Sequence, residues 1–203
     1  MLIKQVLPQC RTFFAAISSR HLFISCSGVI ARKNKAEVLN ALFLPFMRFS
    51  FWSVGKNHEA YVKAGVEEFT HRISKYYKVD WTIIPQPKNA GMMSEMDLKK
   101  KEGETILQWL EKDDYLVALD ERGKQLSSEG LATFIQARAN ESTKRIVFLI
   151  GGAFGLDDAV VKRANYKWSL SQLVFPHQLV RLILAEQVYR ACTILKNEKY
   201  HHK

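Results

Sequence analysis

The chain has 203 residues, 47% of them hydrophobic, and carries 30 basic against 20 acidic side chains for a net charge of +10. This length suits one domain with its own core, alone or with an appendage. Charged residues interrupt the apolar runs well before the ~18–20 residues that a membrane-spanning helix needs. The sequence therefore argues against a membrane protein. Its basic balance favours a polyanionic partner, although many basic proteins bind no nucleic acid.

Cysteine and histidine usage argues against both a disulfide framework and a metal site. The three cysteines, Cys10, Cys26 and Cys192, show no paired spacing, which is typical of a reducing compartment. The adjacent histidines His201 and His202 lack the second pair of ligands that a metal would require. We expect a cytoplasmic protein with no metal.

Residues 1–46 differ in composition from the rest of the chain. They contain six basic side chains and one acid, Glu37, and they lack the alternation of strand and helix patterns that follows. The simplest interpretation is an upstream in-frame translation that is poorly ordered and takes no part in the fold. A cleaved targeting segment is the second interpretation, because such segments are also acid-poor. The predicted domain is 47–203.

From Met47 onward, strand patterns alternate with helix patterns. The predicted elements are a strand at Arg48–Val54, a helix at Glu59–Tyr76, a strand at Val79–Ile84, a helix capped by Ser94 and ending near Leu110, a strand at Tyr115–Asp120, a turn at Glu121–Lys124, a helix from Ser127 or Ser128 to Ala139, a strand at Arg145–Ile150 and a short helix from Asp157. Strands separated by single helices imply parallel pairing with both sheet faces covered. The predicted class is α/β.

Three glycines, Gly151, Gly152 and Gly155, follow the fourth predicted strand. Glycine lets the chain turn with positive φ and lets a ligand approach the backbone amides. A tight strand-to-helix turn without a ligand explains the same motif equally well. Ligands of open parallel sheets bind at the carboxyl ends of the strands. We therefore expect Leu119, Gly151 and residues 170–175 to converge on one crevice.

Two common nucleotide-binding classes do not fit this glycine loop. A P-loop nucleoside triphosphatase needs a Gly-Lys-Ser/Thr sequence, and none follows the loop. A Rossmann-type enzyme carries its glycine loop after the first strand, with an acid about twenty residues further on. Here the loop follows the fourth strand.

The motifs after residue 145 resemble those of one family. Their order is IGGxxG, WSLS, FPHQLVR, EQVYRA and a terminal YHHK, and it resembles the RlmH family of SPOUT methyltransferases, over Met47 to Lys203. The resemblance implies S-adenosylmethionine as cofactor, N3 of a pseudouridine in 23S ribosomal RNA as target, the assembled ribosome as substrate, a homodimer, and a parallel SPOUT fold with a C-terminal trefoil knot. A catalytically silent RNA-binding module of the same fold is the alternative.

The resemblance also implies cofactor-binding positions. They are Leu119, Gly151, Leu170, Ser171, Gln172, Leu173, Val174 and Phe175. Apolar side chains there can sandwich an adenine while loop backbone groups contact its edge. Without the resemblance, ordinary core packing would be the preferred explanation for Leu170, Leu173 and Phe175.

No catalytic residue is identified outright, and there are two candidates, one just before and one within the last predicted helix, Gln178–Leu195. His177, just before it, is a candidate base for the weakly acidic N3, or a simple capping residue. Arg181 is a candidate partner for a phosphate or a developing oxyanion.

The helix is apolar on more than one face, which predicts burial on both sides and agrees with the implied homodimer. The tail that follows combines aromatic and cationic side chains. Tyr200 and His201 are therefore predicted to bind the substrate by holding the target base, and a tail without a role is the alternative. His202 interrupts the family's Tyr-His-Lys/Arg order, which leaves open which phosphate contact Lys203 makes.

Overall fold

A computed structural model describes the backbone of Phe23–Ile24 and Ile30–Ala31 and residues 47–201. The chain divides into two units, Met1–Leu44 and Pro45–Lys203. In the first unit, strand β1 (Phe23–Ile24) pairs antiparallel with β2 (Ile30–Ala31). The prediction that residues 1–46 are poorly ordered concerns residues that lie mostly outside those described, and it stays a prediction.

The second unit alternates strands with helices throughout. Its elements are β3 (Arg48–Val54), α1 (Ala60–Ile73), β4 (Lys78–Ile84), α2 (Glu95–Trp109), β5 (Tyr115–Gln125), α3 (Ser128–Asn140), β6 (Arg145–Ile150), α4 (Asp158–Arg163), β7 (Tyr166–Ser169) and α5 (His177–Leu195). A short 3₁₀ turn, Ala90–Met92, precedes α2. Strands β3 to β7 form one parallel sheet in the order β4-β3-β6-β5-β7. The predicted α/β class and parallel pairing are confirmed.

Alternating side chains of the central strand β6 build a core on each face of the sheet. Ile146 and Phe148 point into a cluster that α1, α3 and α5 cover. Val147 and Leu149 point into a second cluster with Ile106 of α2. A strand that is buried on both faces reads as a continuous apolar run, because neither set of alternating positions meets water. The sheet is therefore a rigid platform for the loops at its ends.

Side-chain caps fix where three of the helices begin. The hydroxyl of Ser94 accepts a hydrogen bond from the Asp97 amide at α2, and that of Ser127 accepts one from Gly130 at α3. The carboxylate of Asp157 accepts from the Ala159 amide at α4. Each bond satisfies a backbone donor that a helix start leaves free. All three helix starts agree with the sequence prediction.

Strand β5 is longer than predicted. The predicted turn Glu121–Lys124 is wrong, because the chain stays extended to Gln125 and pairs with β7 through a register shift between Leu119 and Lys124. Gly123 explains the error. A Cβ there would lie 2.7–2.8 Å from backbone atoms of the neighbouring strand, so the glycine serves a close strand approach and a bulge rather than a turn.

Other element bounds differ at their ends. Strand β7 was not predicted at all, the first helix ends at Ile73 rather than Tyr76, and the last helix begins at His177 rather than Gln178. No described helix is long and apolar enough to cross a membrane. The trefoil knot, which only the resemblance implies, stays a prediction.

Candidate active site

A cavity of about 530 Å³ opens at the carboxyl ends of β5, β6 and β7. Its volume lies within the ~300–1,000 Å³ typical of small-molecule sites. Three segments line it, namely residues 119–122, residues 150–156 and residues 168–177 except Gln172 and Pro176, together with Lys99 and Val180. The cavity lies where ligands bind in open parallel sheets, because the strand ends leave a crevice there.

All the predicted cofactor positions except Gln172 line this cavity. They are Leu119, Gly151, Leu170, Ser171, Leu173, Val174 and Phe175. The expected convergence of strand end, glycine loop and residues 170–175 is therefore what the structure has. That these residues bind a cofactor stays a prediction.

The glycine loop is a tight turn with little room at its α-carbons. The Gly155 amide donates to the carbonyl of Gly152 at 3.0 Å, and Gly155 alone of the three has a positive φ, +82°. A Cβ on Gly151 would lie 3.0 Å from Leu156. Gly151 is thus required for close packing, and the positive φ that the motif predicts belongs to Gly155.

Serine hydroxyls shape the second loop of the cavity. Ser169 Oγ donates to the Ser171 carbonyl at 2.8 Å, and Ser171 Oγ accepts from the Leu173 amide at 3.0 Å. These bonds hold an irregular backbone with Leu173 and Val174 exposed at 71% and 83%. Two neighbouring aliphatic side chains so open to water suit contact with a ligand or a second protein molecule.

Helix α2 holds the glycine loop from behind, and the sequence analysis missed this contact. A Cβ on Gly152 would lie 2.3 Å from the Glu102 carboxylate, and a Cβ on Gly103 would lie 2.6 Å from Cβ of Asp157. The adjacent helical residues Glu102 and Gly103 therefore pack closely against Gly152 and Asp157, near the two ends of the loop. Gly103 itself could have indicated this contact. A glycine inside a helix destabilises the helix by ~1 kcal/mol relative to alanine, so its presence suggests that close packing requires it.

Glu102 is buried and accepts one hydrogen bond, from Gln86 Nε2 at 3.3 Å. Burial raises the pKa of this carboxyl above its ordinary value, and the bond from Gln86 opposes that shift in part. The raised pKa follows because burial penalises the charged form.

Charged side chains lie at the edge of the cavity. Asp120, at the end of the β5–β6 pairing, is bound by Arg122 at 3.0 and 2.9 Å, and these bonds hold the pKa of Asp120 below its ordinary value. Lys99 lines the same cavity from α2. Within residues 47–201 it makes no ion pair. The cavity lining therefore carries two cations, Lys99 and Arg122, and two acids, Asp120 and Glu121, and Arg122 and Asp120 form the ion pair among these four.

The two catalytic candidates lie in different surroundings. His177 is exposed and lines the cavity as the first residue of α5. Arg181 does not line the cavity and is only 1% exposed. Its guanidinium donates to Ser53 Oγ at 2.9 Å and to His58 Nδ1 at 3.3 Å. The phosphate or oxyanion contact of Arg181 stays a prediction, and in the described structure its guanidinium is directed to these buried acceptors.

His58 completes that buried group. Burial, followed by the neighbouring charge of Arg181, lowers its pKa below the ordinary histidine value. A neutral ring is what the geometry requires, since Nδ1 must accept from the guanidinium. The cluster joins the start of α1 to α5 and holds the helix that carries His177.

The tail is bound to its own chain and does not line the cavity. Tyr200 donates to Glu186 Oε1 at 3.1 Å and lies under the guanidinium of Arg190, 4.7 Å from its ring centroid. Nε2 of His201 lies 2.9 Å from Glu129 Oε1. Burial and then the Glu186 carboxylate raise the pKa of Tyr200. Substrate binding by Tyr200 and His201 stays a prediction, and His202 and Lys203 lie outside the described residues.

Glu186 and Arg190 form an ion pair one turn apart on α5, with Arg190 Nε 3.0 Å from the carboxylate. Among the described residues, no group of three or more histidine, cysteine, aspartate and glutamate side chains could hold a metal ion. Cys192 is buried and free.

Comparison with known proteins gives a consistent result. A family model described as "Predicted SPOUT methyltransferase" matches residues 47–201. Three curated relatives are each named "Ribosomal RNA large subunit methyltransferase H". The one from Cytophaga hutchinsonii is 44% identical over 156 residues, which are 77% of this chain and 100% of the relative. Those from Christiangramia forsetii and Parabacteroides distasonis are 45% and 42% identical, over 74% and 77% of this chain and 96% and 100% of the relatives.

Proposed function

Because the chain belongs to the RlmH family of SPOUT methyltransferases, we propose that it methylates large-subunit ribosomal RNA. The proposed donor is S-adenosylmethionine, and the proposed acceptor is N3 of a pseudouridine in 23S ribosomal RNA, in the assembled ribosome of the cytoplasm. The observation that supports this most is the cavity, since it joins the glycine loop to residues 170–175 at the carboxyl ends of the strands.

The cavity fits such a donor by its chemistry. Its half-buried Leu119 and Leu170 offer apolar surface to an adenine, and the loops offer backbone groups for the edge of the ring.

When bound, the donor supplies a methyl group on a positively charged sulfur, and its carbon–sulfur bond breaks as the bond to N3 forms. The residues around the cavity hold donor and acceptor in line at close range, which contributes most to such a transfer. The paired charges of Asp120 and Arg122 leave the rim close to neutral there, so the site does not repel a cationic donor.

The acceptor nitrogen must lose its proton during the transfer. His177 is exposed at the cavity and carries an imidazole, the side chain that most often acts as a general base. We assign it the role of candidate base. Arg181 is instead a positioning residue in this proposal, because its bonds to Ser53 and His58 fix the start of α5.

The proposed homodimer agrees with two features of the surface. Leu173 and Val174 are exposed aliphatic side chains beside the cavity, and a second copy would cover them. The tail is held on α5 and α3 outside its own cavity. A second copy is therefore the natural route by which Tyr200 and His201 reach an acceptor.

Methyl incorporation from labelled S-adenosylmethionine tests this proposal, with ribosomes from a strain that lacks the gene as acceptor. Label should enter 23S ribosomal RNA, and nuclease digestion with mass spectrometry should place it on N3 of a pseudouridine. Free 23S RNA serves as the comparison substrate and should accept less label. Tight RNA binding without any incorporation would identify a catalytically silent RNA-binding module instead.

A further inference from the structure

One aromatic side chain stands at the mouth of the cavity and has no role so far. Phe154 lines the cavity and is 44% exposed. It lies in the glycine loop between Gly152 and Gly155, where an aromatic ring is not needed for the turn. A large apolar side chain that is half open to water at a binding cavity points to a contact with something outside the chain.

The loop presents this ring in a fixed way. Gly152 and Gly155 form a bridge closed by the hydrogen bond between them at 3.0 Å. Behind the turn, Glu102 packs against the α-carbon of Gly152, so the turn cannot move inward. The backbone that carries Phe154 is thus closed by its own hydrogen bond and packed against Glu102, so little of it has to be ordered when a partner binds.

The surroundings of Phe154 favour an RNA partner. Four charged side chains line the same cavity: Arg122 is paired with Asp120, Glu121 is a second acid, and Lys99 is a cation that makes no ion pair in residues 47–201. An apolar protein surface would leave these charges desolvated, whereas nucleotides bring a phosphate to Lys99. Bases also stack on aromatic side chains whatever their sequence, because every base has a π face.

We propose that Phe154 is the stacking residue for a nucleobase of the RNA at the cavity mouth, with Lys99 contacting an adjacent phosphate. This inference rests on the proposed function, and it assigns Phe154 and Lys99 to the side of the same site that binds the RNA acceptor. The inner cavity, with Leu119 and Leu170, is left to the donor. Phe154 then holds one face of an extruded base so that its acceptor nitrogen faces inward.

Five variants of the full chain test the assignment, and one of them is Lys99→Ala. Phe154→Ala and Phe154→Leu both remove the ring, while the leucine keeps an apolar side chain for any protein contact. Phe154→Trp keeps a stacking surface. Tyr61→Ala is the matched control, since Tyr61 is 65% exposed on α1 and does not line the cavity. Measurements are kcat/KM for ribosome methylation, ribosome affinity by filter binding, S-adenosylmethionine affinity by calorimetry, and mass by sedimentation.

Loss of the ring should lower kcat/KM and ribosome affinity about ten- to a hundredfold in the alanine and leucine variants, as loss of one stacked base does. The tryptophan variant and Tyr61→Ala should stay close to the parent. Cofactor affinity and sedimentation should not change in any variant. Lys99→Ala should weaken ribosome binding and reduce its dependence on salt.

Three results would overturn the assignment. Full activity and ribosome binding of Phe154→Leu would show that stacking has no part. A parallel loss of S-adenosylmethionine affinity would make Phe154 a donor contact, and a change in sedimentation would make it a contact between copies. If the parent transfers no methyl group, the proposed function fails by itself, and filter binding of the variants still decides whether Phe154 holds RNA.

Discussion

The cavity and the tail were both predicted to be functional, yet the structure builds them in opposite ways. At the cavity, Leu173, Val174 and Phe154 are exposed, and the loops are held mainly by short-range bonds such as that between Ser171 and Leu173. At the tail, Tyr200 is bound by Glu186 and Arg190 and packed on the ring of Tyr189. The cavity leaves its apolar side chains exposed, whereas the side chains of the tail are bound by other residues of the same chain.

This difference suggests how the two regions share the work. Open apolar surface on a rigid support suits a ligand that must enter and leave, since little of the chain has to be ordered on binding. A tail that already has partners must exchange them to act, so its contribution belongs to the later step in which RNA is positioned. The cavity should therefore control donor affinity and the tail should control transfer.

The largest expected effect is at Gly151. Valine there should abolish measurable binding of S-adenosylmethionine, because even a Cβ would lie 3.0 Å from Leu156 and 3.1 Å from the Gly155 carbonyl carbon. The loop would have to shift by more than its neighbours allow. Titration calorimetry measures the affinity and circular dichroism checks the fold. Gly91→Val is the control, since nothing lies within 4 Å of a Cβ at that glycine. An unchanged affinity in a folded Gly151→Val protein would remove this glycine from the donor site.

Deletion of residues 200–203 should separate the two regions. Donor affinity should stay within about twofold, while methyl transfer to ribosomes should fall roughly ten- to a hundredfold, the usual result of losing one stacked base. Calorimetry and label incorporation measure the two effects, and sedimentation should still report a dimer. Transfer at the full rate would show that the tail has no part in handling RNA.

A smaller effect is expected where α2 supports the cavity. Gly103→Ala should destabilise the fold by about 1–3 kcal/mol, as overpacking does, since its Cβ would lie 2.6 Å from that of Asp157. Gly130→Ala in α3 is the matched control. Its Cβ would meet only ordinary contacts of 3.4 Å or more, and it should stabilise by about 0.4–1 kcal/mol. Urea denaturation measures both changes. Equal changes in the free energy of unfolding at the two glycines would mean that α2 does not pack tightly against the loop.

The smallest effect depends on pH. Because the pKa of Glu102 is raised in the fold, the folded chain holds this proton more tightly than the unfolded chain, and stability falls as pH rises through the raised value. Glutamine at this position carries no charge at any pH. The Glu102→Gln protein should therefore have a higher melting temperature than the parent at pH 8. The difference between the two melting temperatures should shrink towards pH 4. Melting curves over this range check it, with exposed Glu104→Gln as control. A gap that is independent of pH would mean that the buried charge is not its cause.

Local signals predicted much of this structure. The bounds of β3 and β6 agree with the sequence, because each strand ends directly before a glycine, and Ser94 caps α2 as its spacing indicates. Errors arose where the deciding contact is distant in sequence. The turn predicted at Glu121–Lys124 depends on how Gly123 meets β7, and β7 has only four residues.

The same limit applies at the site. Resemblance to a family supplied the residues that line the cavity, and the charge of Arg181 suggested a phosphate contact. Its actual acceptor is Ser53, 128 positions away, which no pattern near Arg181 could indicate. The contact between Glu102 and Gly152 likewise depends on how α2 lies against the loop.

A crystal structure of the protein with S-adenosylmethionine bound tests the central claim most directly. We expect the donor in the 530 Å³ cavity, in contact with Leu119, Gly151 and residues 170–175, with Phe154 still open at the mouth and the tail unmoved. A donor bound at another part of the surface, or one that displaces Phe154 to fill the mouth, would contradict the division of the site into a donor side and an acceptor side.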